Sequence, residues 1–220
     1  LQGYANPSSF NTLKRHVKAL LRGAEEAGMQ RVCLNKIKNK KSKAKLHRTY
    51  ADVGYVLDDI KKYNYNLYLC CLITYGCLLR PHREIRNLVW NNFSKDLKQI
   101  TIEGKKNKSG KNRTVPVSSY IQKELNPKKS NQNVFSKSQK PYNEDYFKNL
   151  WRKYKKQTNI IQPGQTIYSF RHTGAIEIFQ RTGSITKLQK AMGHSSINVS
   201  LTYLRGLEVT ELKEEDMPMI

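Results

Sequence analysis

Ser184-Ile-Thr-Lys-Leu-Gln-Lys-Ala-Met-Gly-His-Ser-Ser-Ile-Asn-Val-Ser-Leu-Thr-Tyr-Leu204 encodes two short helices and the turn between them. Ser184 to Met192 has helical spacing, and Gly193 supplies the left-handed residue that commonly ends such a helix. His194 follows this stop. Ser196 offers a hydroxyl cap for the next helix, which runs to Leu204 and carries Tyr203. Immediately upstream, Thr166 to Arg181 forms another helix, with Arg171 between apolar Phe170 and Ala175. An unpaired charge among buried neighbours is expensive, so Arg171 calls for an anionic partner.

The same reading extends to the rest of the chain. Asn143 to Tyr154 is a helix burying Tyr146, Leu150 and Trp151, and Ser119 to Leu125 is a shorter one. Before them the period falls to two: Ile100 and Ile102 alternate with Thr101 and Glu103, and Val115 and Val117 with Thr114 and Pro116. These are two strands of a hairpin. Its loop, Gly104 to Arg113, carries the cations Lys105, Lys106, Lys108, Lys111 and Arg113. A helix is expected through Glu84, Ile85, Leu88 and Trp90, after a break at Pro81. Leu67 to Leu79 is a buried helix, and Val53, Val56, Leu57 and Ile60 form a helical stripe before it. The class is mainly α with a small antiparallel sheet.

From Ser9 to Met29, Phe10, Leu13, Val17, Leu20 and Leu21 recur at helical spacing in one or two helices, with Asn11 as cap and Gly28 as stop. Lys36 to Arg48 is basic, carries no acid and has little to bury, which makes it a linker: a solvated tether, or a strap along a phosphate backbone. We divide the chain into 1–48, helices plus linker; 49–207, the globular body; and 208–220, a tail holding Glu208, Glu211, Glu214, Glu215 and Asp216.

Composition bounds the function. The chain has 220 residues with 40 Lys+Arg against 17 Asp+Glu, a net charge of +23, which points to a polyanionic partner. The stretch from Leu67 to Leu79 is too short to span a membrane. There is neither a G-x-G-x-x-G nor a P-loop, so nucleotide hydrolysis has no support. His16, His47, His82, His172 and His194 show no H-E-x-x-H spacing and no cysteine partners, and the expectation is chemistry with no metal, no cofactor and no small-molecule substrate. Cys33, Cys70, Cys71 and Cys77 include no C-x-x-C pair, which suits reduced thiols and a cytoplasmic setting. Because Leu1 is not a methionine, a fragment of a longer protein is expected.

Four elements together carry a resemblance: Leu79-Arg80-Pro-His-Arg-Glu-Ile-Arg-Asn-Leu-Val-Trp90, Lys108-Ser-Gly-Lys-Asn-Arg-Thr-Val-Pro116, Tyr168-Ser-Phe-Arg171-His172 and Gly193-His194 through Tyr203. In this order they resemble the catalytic domain of the tyrosine recombinases, the phage-integrase-like family, over about Tyr50 to Leu207. The resemblance implies that Arg80, Lys108, Tyr168, Arg171, His194 and Tyr203 assemble around one phosphate of double-stranded DNA. It further implies that residues 1–48 are the end of a core-binding domain, that four protomers assemble on DNA, and that the setting is the bacterial cytoplasm or nucleoid. Two departures stand out. The family arginine normally lies three residues before the glutamate, whereas Arg80 lies four before Glu84 and Arg83 directly precedes it; Arg80 is preferred and Arg83 stays open. The family's H-x-x-R histidine is Tyr168, which can still donate a hydrogen bond but cannot carry a positive charge. Lys108 is preferred over Lys105 as the hairpin lysine. His172 is either a support for the arginines or a core histidine.

The residue types suit attack on a phosphodiester in their own right. A tyrosine hydroxyl, with an ordinary pKa of ~10, needs neighbouring cations or a base to become a nucleophile. Guanidinium groups bind phosphate oxygens bidentately and keep their charge as negative charge builds. A lysine can protonate a departing 5′ oxygen, a role an arginine performs poorly. With the resemblance, this implies an expected function of site-specific DNA cleavage and rejoining through a 3′-phosphotyrosyl link, integrating or excising a mobile element. A catalytically silent DNA-binding module is the alternative, a type IB topoisomerase would share the chemistry, and an RNA-binding protein would explain the charge but not the ordered motifs. The acidic tail is expected to dock on a neighbouring protomer or to fold back over the site.

Overall fold

The computed structural model describes residues 6–30, 37–41, 48–104, 112–205 and 207. The chain divides into two compact units, Leu1–Leu46 and His47–Ile220.

In the first unit, α1 spans Pro7–Glu26, with Pro7 in its first turn and the Asn6 side chain accepting from the Ser8 amide. Proline presets the helical φ where its missing N–H costs nothing, so the helix starts one turn earlier than Asn11 suggested. Asn11 instead pairs with the backbone of Lys40, donating to its carbonyl at 2.8 Å and accepting from its amide at 2.9 Å. The Lys40 ammonium lies 4.6 Å from the centre of the Phe10 ring. Of the basic linker, only 37–41 and 48 are among the described residues.

The second unit is built around α3, Tyr65–Gly76, an almost wholly apolar helix whose residues Leu67 to Thr74 are all buried. Its start is fixed by Asn64, whose side chain accepts from the Leu67 amide. Against α3 pack α2, Val53–Tyr63; α5, Tyr146–Gln157; and α6, Ile167–Thr182. The α3–α6 approach is close enough that a Cβ on Gly174 would lie 2.3 Å from the Tyr75 carbonyl oxygen, so only glycine fits there. Strands β1, Gln99–Ile102, and β2, Arg113–Pro116, pair antiparallel in the register Ile100↔Val115 and Ile102↔Arg113. Their burial alternates, with Ile100, Ile102, Arg113 and Val115 inward. The hairpin loop at 105–111 lies outside the described residues. The short α4, Ser119–Gln122, follows the sheet. The chain then closes with α7, Ile185–Met192, and α8, Ile197–Leu201, which continues into a 3₁₀ turn at Thr202–Leu204.

This mostly helical body with one two-stranded antiparallel sheet is the class the sequence led us to expect. One element differs. The helix expected through Glu84 to Trp90 is a set of turns with 3₁₀ pieces at Ile85–Asn87 and Trp90–Asn92. Asn87 donates its side-chain amide to the Arg83 carbonyl, the role a helical backbone amide would fill. Val89 pairs instead with Asn133, and the Trp90 amide donates to the Gln132 carbonyl. Local asparagine bonds of this kind compete with helix, and they win here because a neighbouring segment takes up the freed backbone. Among the described residues no helix is long and apolar enough to cross a membrane.

Candidate active site

Three guanidinium groups and one carboxylate meet where the end of α3, strand β2, α6 and α7 converge. Leu78, just past α3, adopts a left-handed conformation at φ 51°. This is costly for a bulky residue, and it turns the chain sharply two residues before Arg80. Arg80 Nη1 lies 2.7 Å from Glu84 Oε1, and its backbone amide donates to Glu84 Oε2 at 2.8 Å. Arg113, at the start of β2, approaches the same carboxylate with Nη2 2.9 Å from Oε2. The Glu84 side chain is fully buried. Burial pushes its carboxyl pKa up, but Arg113 and Arg80 more than offset this and hold it below the ordinary carboxylate range.

Arg171 projects from the second turn of α6 and is 1% exposed. Its Nη2 donates to the Met192 carbonyl at 2.9 Å, using the electronegative C-terminal end of α7. Its Nη1 is buried and has no hydrogen-bond partner among the described residues. Burial lowers the Arg171 pKa to about 10, with nearby Tyr203 opposing that shift and Arg80 adding to it. At neutral pH the guanidinium still carries its charge. A buried guanidinium N–H of this kind can donate to an anion's oxygen.

The α7 cap works as the sequence suggested. Gly193 is left-handed at φ 64°, and its amide returns to the Gln189 and Lys190 carbonyls. A Cβ there would also lie 2.6 Å from Arg113 Nη1, so the position needs glycine for space as well as for conformation. His194 follows, its Nδ1 2.9 Å from the Oγ of buried Ser200 on α8. Burial lowers the His194 pKa to about 4, with Arg171, Arg80 and Arg113 pushing the same way, so the imidazole is neutral at neutral pH. Tyr203 is half-buried, its ring centre 5.3 Å from that of His172 and 5.5 Å from that of His194.

The structure thus brings together Arg80, Arg171, His194 and Tyr203 of the residues singled out from sequence. Tyr168 is beside them: burial raises its pKa while Arg171 and Arg80 lower it, and its ring centre is 5.8 Å from that of His82. Arg83 is exposed and lines a separate groove with Arg86, Glu144 and Lys148. Lys108 and Lys105 lie outside the described residues, but the mouth of their loop is pinned by the Gly104 amide donating to Asn112 Oδ1 at 2.8 Å. Arg113, counted in the sequence as one of several loop cations, is instead a buried member of the cluster. The signal for it was present, because Arg113, Val115 and Val117 share one face of a period-two strand. A groove of 340 Å³ opens beside the cluster, lined by Arg113, Lys190, Gly193 and His194 among others. A larger one of 660 Å³, lined by Tyr65, Trp90 and Phe135, holds none of the expected site residues. Among the described residues no three His, Cys, Asp or Glu side chains converge as metal ligands.

Comparison with known proteins places the fold. No curated protein matches the sequence. Among solved structures, the chain is similar to the Tn1549 transposon integrase, residues 82–397, in complex with circular intermediate DNA: TM-score 0.65 and 19% identity over 98% of this chain and 78% of that one. The XerA recombinase matches with TM-score 0.59 and 18% identity over 96% and 80%. The catalytic domain of bacteriophage HP1 integrase matches with TM-score 0.54 and 26% identity over 72% and 86%. The model of the phage integrase family matches residues 47–208, the whole span that carries the arginine cluster, the hairpin and Tyr203, and the chain therefore belongs to that family, the tyrosine recombinases.

Proposed function

We propose that the protein is a site-specific DNA recombinase that cuts and rejoins strands through a 3′-phosphotyrosyl link at Tyr203, in the integration or excision of a mobile element. The observation that carries this reading is the buried Arg171 guanidinium with an unpartnered Nη1, close to Tyr203 and held in a cluster of three cations with one carboxylate. Among the described residues such a cluster has three cations to one carboxylate, and a DNA phosphate supplies a further anion. The net charge of +23 suits the same ligand. The Tn1549 integrase and the XerH recombinase, whose folds this chain shares, are both seen with DNA.

In this mechanism Arg80 and Arg171 hold the two non-bridging oxygens of the scissile phosphate. Tyr203 Oη attacks phosphorus and forms the tyrosyl ester as the bond to the 5′ oxygen breaks. The tyrosine proton leaves to a base, and neutral His194, its ring centre 5.5 Å from that of Tyr203, takes that role. Lys108 gives a proton to the departing 5′ oxygen. Tyr168 donates a hydrogen bond to phosphate in place of the family's histidine. Because the phosphotyrosyl link conserves the energy of the broken bond, a second 5′ hydroxyl reverses the step on another strand. Four protomers on two duplexes complete a round of exchange.

The test is incubation with nicked suicide DNA carrying candidate sites, then a denaturing gel. The expected result is a protein–DNA adduct that is absent in Tyr203→Phe. Tight, salt-sensitive binding with no adduct would instead establish the silent DNA-binding reading, which Tyr168 favours.

A further inference from the structure

Arg113 belongs to none of the roles above, yet it is one of the few charged side chains in the core, 9% exposed. Its guanidinium is held on three sides. Nη2 contacts Glu84 Oε2 at 2.9 Å, Nη1 donates to the Ala191 carbonyl at 3.3 Å, and its flank lies where any Cβ on Gly193 would fall. Burying an arginine to this degree is expensive, and a hydrophobic residue would fill the same inward strand position at lower cost. The Glu84 carboxylate that Arg113 contacts is the one that grips Arg80 at both its backbone amide and its guanidinium. We propose that Arg113 is a positioning residue for strand cleavage: by keeping Glu84 ionised and fixed, it sets the place of the Arg80 guanidinium, which it does not itself touch. The inference rests on the recombinase reading for its consequence, though not for the link between Arg113 and Glu84.

The physical reasoning concerns what Glu84 becomes without its second cation. Glu84 faces Arg80 on its own turn, Arg113 on β2, Tyr168 and Arg171 on α6, and His194 after α7. Of these, the charge of Arg113 is the largest single influence lowering its pKa, ahead of the amide hydrogen bond, charge and side-chain hydrogen bond of Arg80 taken one by one. With Arg113 removed, burial is opposed by fewer charges and the Glu84 pKa rises. Once protonated, Glu84 accepts more weakly and its hold on the Arg80 guanidinium loosens.

The experiment compares wild type with Arg113→Met and Arg113→Lys at several pH values between 5 and 9, reading thermal stability and the rate of adduct formation on saturating suicide DNA. The two readouts move in opposite directions with pH. A raised Glu84 pKa in the folded Met variant means that it binds more protons when folded than wild type does. The stability gap from wild type therefore widens as pH rises. The cleavage defect runs the other way, about ten- to a hundredfold at the acid end, where Glu84 is protonated, and narrowing as pH rises and the carboxylate re-forms. Lysine keeps the charge and restores most of both. A stability gap and a cleavage defect that are both independent of pH, or that grow together, would show a merely structural arginine and overturn the proposal. So would a Met variant that cleaves at the wild-type rate throughout. If Met prevents folding, Glu84→Gln in the folded protein must show a cleavage defect that pH does not relieve, and wild-type cleavage by that variant is contradictory. If wild type itself forms no adduct, the recombinase reading fails, while the pH dependence of the stability gap still decides the link between Arg113 and Glu84.

Discussion

Gly193 meets two demands that no other residue satisfies together, a left-handed backbone at φ 64° and room for the Arg113 guanidinium against its α-carbon. Gly193→Ala is expected to cost about 1–3 kcal/mol in chemical denaturation, combining backbone strain with the displacement of Arg113. A loss within about 0.5 kcal/mol would show that the turn relaxes freely. The neighbouring His194 has its pKa lowered to about 4 by burial and the three arginines. A histidine depressed below its unfolded value contributes stability that is complete above about pH 6.5 and is lost as pH falls towards 4. An NMR titration of the free protein is expected to find the imidazole neutral at pH 6, and one protonated there would contradict the packing around it. At this scale the sequence was legible wherever a residue's role was local. Gly193 and Ser196 act on their own helix ends, and both do so in the structure. Arg113 was missed because its partner lies 29 residues away, across a hairpin and a turn.

Among the elements, strands and helices with a clean period were legible, and those deciding between two partners were not. The alternations around Ile100 and Val115 pair in register, while the stretch after Pro81 looked helical by its apolar spacing. It is not a helix because Asn87 bonds backward and Val89 bonds sideways to Asn133, a partner the linear pattern does not reveal. The hairpin is the element on which the proposed general acid depends. Its base is closed by Gly104 and Asn112, and its second strand begins at Arg113, a member of the arginine cluster. Lys108→Ala is expected to slow adduct formation by about 10²–10⁴-fold, the range for losing a general acid, with Lys105→Ala within about tenfold of wild type. The reverse ranking, measured by single-turnover kinetics, would move the acid to Lys105.

For the whole molecule, charge and architecture point the same way. A chain with an excess of 23 positive charges over 220 residues is expected to bind DNA with an affinity that falls steeply between about 50 and about 200 mM salt. The acidic segment after Tyr203 lies outside the described residues, and two roles are proposed for it. Deleting Glu208 to Ile220 is expected to impair synapsis of two duplexes if the tail docks on a neighbouring protomer, and to speed cleavage if it folds back over the site. Unchanged rates of both, read by native gel and by adduct formation, would contradict either role. The central claim is that Tyr203, among the protein's 13 tyrosines, takes the DNA strand. The measurement that tests this most directly is nuclease and protease digestion of the adduct from suicide DNA, with mass spectrometry of the modified peptide. The account predicts a 3′-linked nucleotide on Tyr203. A nucleotide on any other residue, or a 5′ linkage, would contradict it.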